Sequence, residues 1–169
     1  MTPKSEGPSS FPTARHNHRR CVAEALAAAD VLCRGRGVRL TRLRRRVLEL
    51  VWDSHAPVGA YQLLRELSRE REKAAPPTVY RALDFLMTQG LIHRIESLNA
   101  FVGCIDPRAP HVGQFLICDD CGSAAELHDL RIDRAISRAS AEADFTVERS
   151  TVEVRGLCPD CRHDQPPES

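Results

Sequence analysis

The sequence is poor in aromatic residues, which make up 5%, with one Trp and two Tyr. That scarcity argues against a broad stacking platform for single-stranded nucleic acid. No apolar run approaches the roughly 18 residues that span a bilayer. The opening residues, Met1-Thr2-Pro3-Lys4-Ser5-Glu6, contain no apolar stretch of the signal-peptide kind. Membrane and secreted classes are therefore not expected, and a cytoplasmic location is. No internal repeat is found apart from a doubled Cys-x-x-Cys.

What is present suits one ordinary domain or two small ones: 169 residues, 42% hydrophobic and 28% charged. The net charge of +1 conceals an asymmetry. Residues 1–96 hold 17 Lys+Arg and 10 Asp+Glu, a balance of +7, whereas residues 97–169 hold 7 and 13, a balance of −6. One basic and one acidic half predict two domains with different partners. The seven cysteines are Cys21, Cys33, Cys104, Cys118, Cys121, Cys158 and Cys161. An odd count without a secretion signal points to a reducing compartment, where Cys-x-x-Cys pairs bind metal more often than they form disulfides.

The Pro- and Ser-rich residues 1–15 read as a disordered arm, and residues 162–169 as a disordered tail. Between them the pattern predicts helices over Arg20–Arg34, from the N-cap Thr41 to Ser54, over Ala60–Arg71, and from Pro76-Pro77 to Gly90. The last of these has Val79, Ala82, Leu83, Leu86 and Met87 on one face. Tyr80, Arg81, Asp84 and Thr88 lie on the other. The period then changes to two. Leu91–Ile95 and Ala100–Val102 flank the turn-like Glu96-Ser97-Leu98-Asn99, which is a hairpin. Helices followed by a hairpin in this order describe an N-terminal winged helix-turn-helix domain, with the helix from Pro76 as its recognition helix. The second half reads as a small α/β domain. Strands are predicted at Gln114–Cys118 and Ala124–Leu127, a helix over 132–143, and a long strand over Phe145–Val154. The fold class is α+β.

Cys118-Asp-Asp-Cys121 and Cys158-Pro-Asp-Cys161, separated by 36 residues, are the strongest chemical signal. Each pair offers two thiolates to one ion, and together they can close a structural zinc site of four cysteines. His93, Cys104, His111 and Glu126 are all zinc-ligand types, but at spacings of 11, 7 and 15 residues no short motif joins them. On spacing alone each has an ordinary structural explanation. Arg34, Arg36, Arg39, Arg42, Arg44, Arg45 and Arg46 place seven arginines in thirteen residues without an acid. The run leads into the first helix of the helix-turn-helix, the helix that crosses the DNA backbone, so phosphate contact is expected.

Val38-Arg-Leu-Thr41, Pro76-Pro-Thr-Val-Tyr-Arg-Ala-Leu-Asp-Phe-Leu86, Gln89-Gly-Leu-Ile-His93 and Ile117-Cys-Asp-Asp-Cys-Gly122 resemble the ferric uptake regulator (Fur) family, and within it the zinc uptake regulator (Zur) branch. The resemblance covers about residues 20–161. It implies a homodimeric, metal-responsive DNA-binding regulator. Its parts would be a winged-helix domain over 16–98, a hinge over 99–104, and a dimerisation and metal-binding domain over 105–161. It further implies two Zn²⁺ per chain: a structural ion on Cys118, Cys121, Cys158 and Cys161, and a regulatory one on His93, Cys104, His111 and Glu126. Tyr80 and Arg81, with Thr78, match base-contacting positions of the recognition helix. Arg39 matches a basic residue that approaches the minor groove, and Arg44 and Arg45 are expected on phosphates.

The sequence departs from the family pattern in places. Arg42 stands where Pro often follows Thr41, and the stretch before the first Cys-x-x-Cys holds His111 as its single His. The latter disfavours iron sensing. Cys21 and Cys33 read as helix thiols, His16 and His18 as arm residues, and His128 as an alternative fourth ligand. His55 and His163 suggest no role. The expected function is a zinc-dependent, sequence-specific regulator. It would mainly repress zinc-uptake genes when zinc is bound and could also activate some promoters. Its partner would be an AT-rich pseudo-palindromic duplex, with no membrane and no small-molecule substrate. A relative sensing another metal or peroxide is the alternative. A zinc hydrolase or deaminase, the rival from another class, needs an open ligand position, and the deaminase signature is missing because Cys158 precedes its Pro. A zinc-ribbon adaptor that binds only protein conflicts with the basic half.

Overall fold

The computed structural model describes residue 11 and residues 18–53, 56–70, 75–108 and 111–163. The expected arm, with His16, lies outside these residues except for Phe11, as do His55 and the tail beyond His163, whereas His18, expected in the arm, is the first residue of the first helix. The chain divides into two compact units, one within Pro12–Pro110 and the other carrying His111 onward.

In the first unit, α1 (His18–Gly35) is followed by α2 (Arg42–Trp52), β1 (Val58–Gly59), α3 (Ala60–Arg69), α4 (Pro76–Thr88), β2 (Ile92–Ile95) and β3 (Ala100–Gly103). The Ala-rich α1 buries Leu26, Ala29 and Cys33, which recur on one helical face. Thr41 caps α2, its hydroxyl accepting the Arg44 N–H at 3.4 Å. The helix turns Val47, Leu48 and Val51 inward. Leu63 and Leu67 of α3 join Val79, Ala82, Leu83 and Leu86 of α4 in the same core. Each fully buried Leu contributes about 1.5–3 kcal/mol. Two prolines open α4, and bonds from Gly90 N–H to Met87 O and from Leu91 N–H to Leu86 O, both 2.9 Å, close it. The strands β2 and β3 pair antiparallel with Ile95 opposite Ala100, and the two-residue β1 adds to β3 through Val58 and Phe101. The order β1-β3-β2 is the wing.

The second unit holds β4 (Gly113–Cys118), β5 (Ala124–Leu127), α5 (Leu130–Glu142), β6 (Thr151–Gly156) and a short α6 (Pro159–His163). The central strand, β4, is antiparallel to β5 and parallel to β6, with α5 in the connection. Gln114, fully buried, ties β4 to the start of α5. Its amide donates to Asp129 O at 3.1 Å and to Asp133 Oδ1 at 2.6 Å, and its carbonyl accepts the Asp129 N–H at 3.3 Å. A buried amide needs all three. The long strand expected from Phe145 starts instead at Thr151. Residues before it are still leaving α5: Asp144 takes a left-handed φ of 53°, and the Phe145 N–H bonds to Ser140 O at 2.9 Å. Arg162 and His163, expected in the tail, belong to α6.

Candidate metal centres and nucleic-acid face

The four thiols of the two Cys-x-x-Cys pairs meet because β4 and β6 are neighbours. Cys118 ends β4 opposite Gly156, and Cys158 follows β6 by two residues. The Asp119 N–H donates to Gly156 O at 2.8 Å, and Arg155 Nε to Asp119 Oδ1 at 2.7 Å, locking the two strand ends. Gly122 closes the first turn with φ at +70°, a conformation that L side chains resist, and its N–H donates to Cys118 O at 3.1 Å. All four Sγ atoms lie within 4.8 Å of one another. Cys121 and Cys158 Sγ are 3.8 Å apart, which matches the edge of about 3.8 Å in a tetrahedron with Zn–S bonds of about 2.3 Å. The donor set fits a structural zinc.

The surroundings favour thiolate on the first pair. The Cys158 N–H, donated to Cys118 Sγ at 3.3 Å, and a backbone bond from Cys121 bring the Cys118 thiol down to about 6. The Ser123 hydroxyl, 3.0 Å from Cys121 Sγ, lowers that thiol as well. The Asp120 carboxyl raises Cys161. Thiolate is the ligand form.

The other four expected ligands fall into two pairs, one in each unit. In the first unit, His93 lies on β2 opposite Val102, and Cys104 directly follows β3, with its N–H bonded to Leu91 O at 3.1 Å. The His93 ring nitrogen and the Cys104 thiol are within 4.8 Å of each other. Cys104 is buried, and Trp52 stands over the residue before it: a Cβ on Gly103 would lie 2.2 Å from Trp52 Cε2. In the second unit, His111 Nε2 and Glu126 Oε1 are 2.6 Å apart, with the side chains 9% and 3% exposed. Glu126 points inward from β5 opposite Phe115. The ring of His128 sits 5.5 Å from that of His111, centroid to centroid.

On α4 the apolar face is buried while Thr78, Tyr80, Arg81, Asp84 and Thr88 are exposed. Arg39 is exposed in the loop before α2. Most of the other arginines of the basic run have partners outside it. The Arg44 guanidinium lies 3.6 Å over the Phe85 ring and donates to Arg39 O at 2.7 Å. Arg45 pairs with Asp30. Arg46 pairs with Glu49 at 2.7 Å and also with Glu70. Arg36 donates to Gln89 O at 2.6 Å. The absence of acids within the run gave no sign of these partners, because Asp30, Glu49 and Glu70 arrive from three different helical turns.

The model of the ferric uptake regulator family matches residues 35–155. The zinc uptake regulation protein of Escherichia coli (strain K12) is 38% identical over 139 residues, 82% of this chain and 81% of its own. A zinc uptake regulator solved in complex with zinc and DNA superposes with a TM-score of 0.80 at 38% identity, covering 84% of this chain and 95% of that one. The holo form of XcZur gives 0.77 at 45% identity, over 83% and 98%.

Proposed function

Because the chain belongs to the ferric uptake regulator family, we propose that it is a zinc-responsive, sequence-specific DNA-binding transcriptional regulator that acts as a homodimer in the cytoplasm. The observation that carries this reading is the likeness, across both units, to a regulator held with both zinc and DNA. On this reading it mainly represses zinc-uptake genes when zinc is bound. Its exposed apolar residues in the second unit, Phe145 at 66% and Val154 at 50%, and the open edge of β6 are the surface that a second copy covers.

Two zinc ions per chain are proposed, with unequal roles. Cys118, Cys121, Cys158 and Cys161 hold the first, and binding energy at such a site is folding energy. His93 and Cys104 of the first unit, with His111 and Glu126 of the second, are proposed to hold the second. Zinc held by these four side chains would supply bonds of fixed length to donors of both units. By sharing one ion, these side chains tie the wing to the dimerisation unit and hold the two recognition helices of the dimer at one spacing on a pseudo-palindromic duplex. Raising the DNA-competent fraction from 1% to 99% takes about 5.5 kcal/mol of differential binding. Structural zinc sites supply about 10–16 kcal/mol. Both donor sets are complete at four, leaving no position for water or substrate, so the chain is not an enzyme on this reading.

The test compares two variants. Cys104→Ser should stay folded and dimeric, keep one zinc, and lose zinc-dependent retention on an AT-rich inverted-repeat duplex. Cys118→Ser should unfold the second unit and abolish the dimer. Wild-type duplex affinity in Cys104→Ser with added zinc would remove Cys104 from the regulatory set.

A further inference from the structure

Asp84 is an acid where the proposed function calls for contact with a polyanion. On α4, Tyr80, Arg81, Asp84 and Thr88 fall within an arc of about 100° at 3.6 residues per turn, with Asp84 between Tyr80 and Arg81 in angle and one turn further along. All four are exposed. Asp84 has no structural employment to explain it. Its backbone carbonyl accepts the Thr88 hydroxyl at 2.8 Å, but among the described residues no cation lies within 4.0 Å of its carboxylate. Arg94, which borders the same cleft of about 310 Å³ as Asp84 and Tyr80, is held by Glu96 at 3.3 Å and by Asn99 at 2.8 Å.

We propose that Asp84 is a specificity-determining residue that accepts a hydrogen bond from a cytosine amino group in the major groove. The inference rests on the reading that α4 enters that groove. An ionised carboxylate is an acceptor only. The major-groove edges of guanine and thymine face it with acceptors and repel it, and adenine offers an amino group beside the N7 acceptor. Cytosine presents the N4 donor alone. Every other placement of the charge near phosphates is unfavourable over a Debye length of about 8–10 Å. Asp84 therefore penalises duplexes without cytosine at its position. Four residues beyond Tyr80, it stands about 6 Å along the helix axis, or roughly two base-pair steps from the position Tyr80 reaches.

The experiment selects bound sequences from a random-duplex library with zinc-loaded wild type, Asp84→Asn, Asp84→Ala and Arg81→Ala, each checked for zinc content and dimer state. Wild type should show one cytosine per half-site favoured about tenfold over other bases. Asp84→Asn should move that preference to adenine, the base Asn pairs with. Asp84→Ala should flatten it while binding random duplex more tightly. An unchanged preference in both Asp84 variants, in a panel where Arg81→Ala does alter the selected sequence, overturns the role of Asp84 and leaves the recognition helix in place. If wild type selects no sequence at all, the DNA reading itself fails, and the role of Asp84 with it.

Discussion

Arg81 and Arg45 carry the same charge in different settings. Among the described residues Arg81 has no hydrogen-bond or ion-pair partner, whereas Arg45 is paired with Asp30. The base contact expected of Arg81 would therefore break no interaction of that side chain among the described residues. Arg81→Ala should weaken operator binding by about 1–3 kcal/mol and relax specificity at one position per half-site. Arg39→Ala should instead weaken all duplexes alike and flatten the salt dependence by about one unit per subunit. Titrating both variants against specific and random duplex at several salt concentrations checks the distinction. Arg45→Ala leaves Asp30 without its cation, so any loss of affinity in that variant comes with a lower melting temperature. At the same scale, Asp129 is the N-cap of α5. The Arg131 guanidinium and N–H, the latter at 2.8 Å, bring its carboxyl from the ordinary 3.8 to about 2. A depressed carboxylate stabilises the fold above its unfolded value and loses that contribution as pH falls through the folded one. Urea melts of wild type and Asp129→Asn should accordingly differ at pH 5 and converge towards pH 2.

Among the elements, the ones readable in advance are those whose local chemistry and tertiary role coincide. The Pro76-Pro77 start of α4, the capping Thr41 and the period-two wing were all legible because propensity, cap and buried face agree there. The four-thiol cluster was legible for a different reason: a metal needs several soft donors close together, and the paired spacing displays that need. Three features were hidden. The two-residue β1 exists only because β3 offers it an edge. The short α6 is folded around the turn between Cys158 and Cys161. The segment from Phe145 to Ser150 has strand composition, but the left-handed Asp144 and the end of α5 take it. The proposed ligands His93, Cys104, His111 and Glu126 drew meaning from family resemblance, since no local pattern joins residues on different strands. The element that positions Cys104 is β3, pinned where Gly103 meets Trp52. Gly103→Ala should force the indole or the strand aside, costing about 1–3 kcal/mol. It should also lower zinc affinity at the proposed regulatory site while leaving the zinc of the four-cysteine site in place. Calorimetric melting and a zinc titration measure the two effects separately.

For the molecule as a whole, the split of +7 and −6 between the two parts of the sequence would, on the proposed reading, draw the basic half to a duplex and repel the acidic half from it. The proposed linkage has a reciprocal consequence. If the second zinc tightens DNA binding by some factor, DNA must tighten that zinc by the same factor. Zinc titrations of the full chain with and without saturating inverted-repeat duplex should show the weaker site shifted and the four-cysteine site unmoved. An unshifted weaker site would mean that metal and DNA are not coupled.

The contact between Trp52 and Gly103 offers one more use. Trp52 is the single tryptophan of the sequence, so all indole emission comes from the neighbourhood of one proposed ligand. An indole packed against the backbone beside Cys104 responds in intensity and wavelength when the polarity or order around that thiol changes. The protein thus carries its own fluorophore at the regulatory position, and loading of that site can be followed in real time without a label.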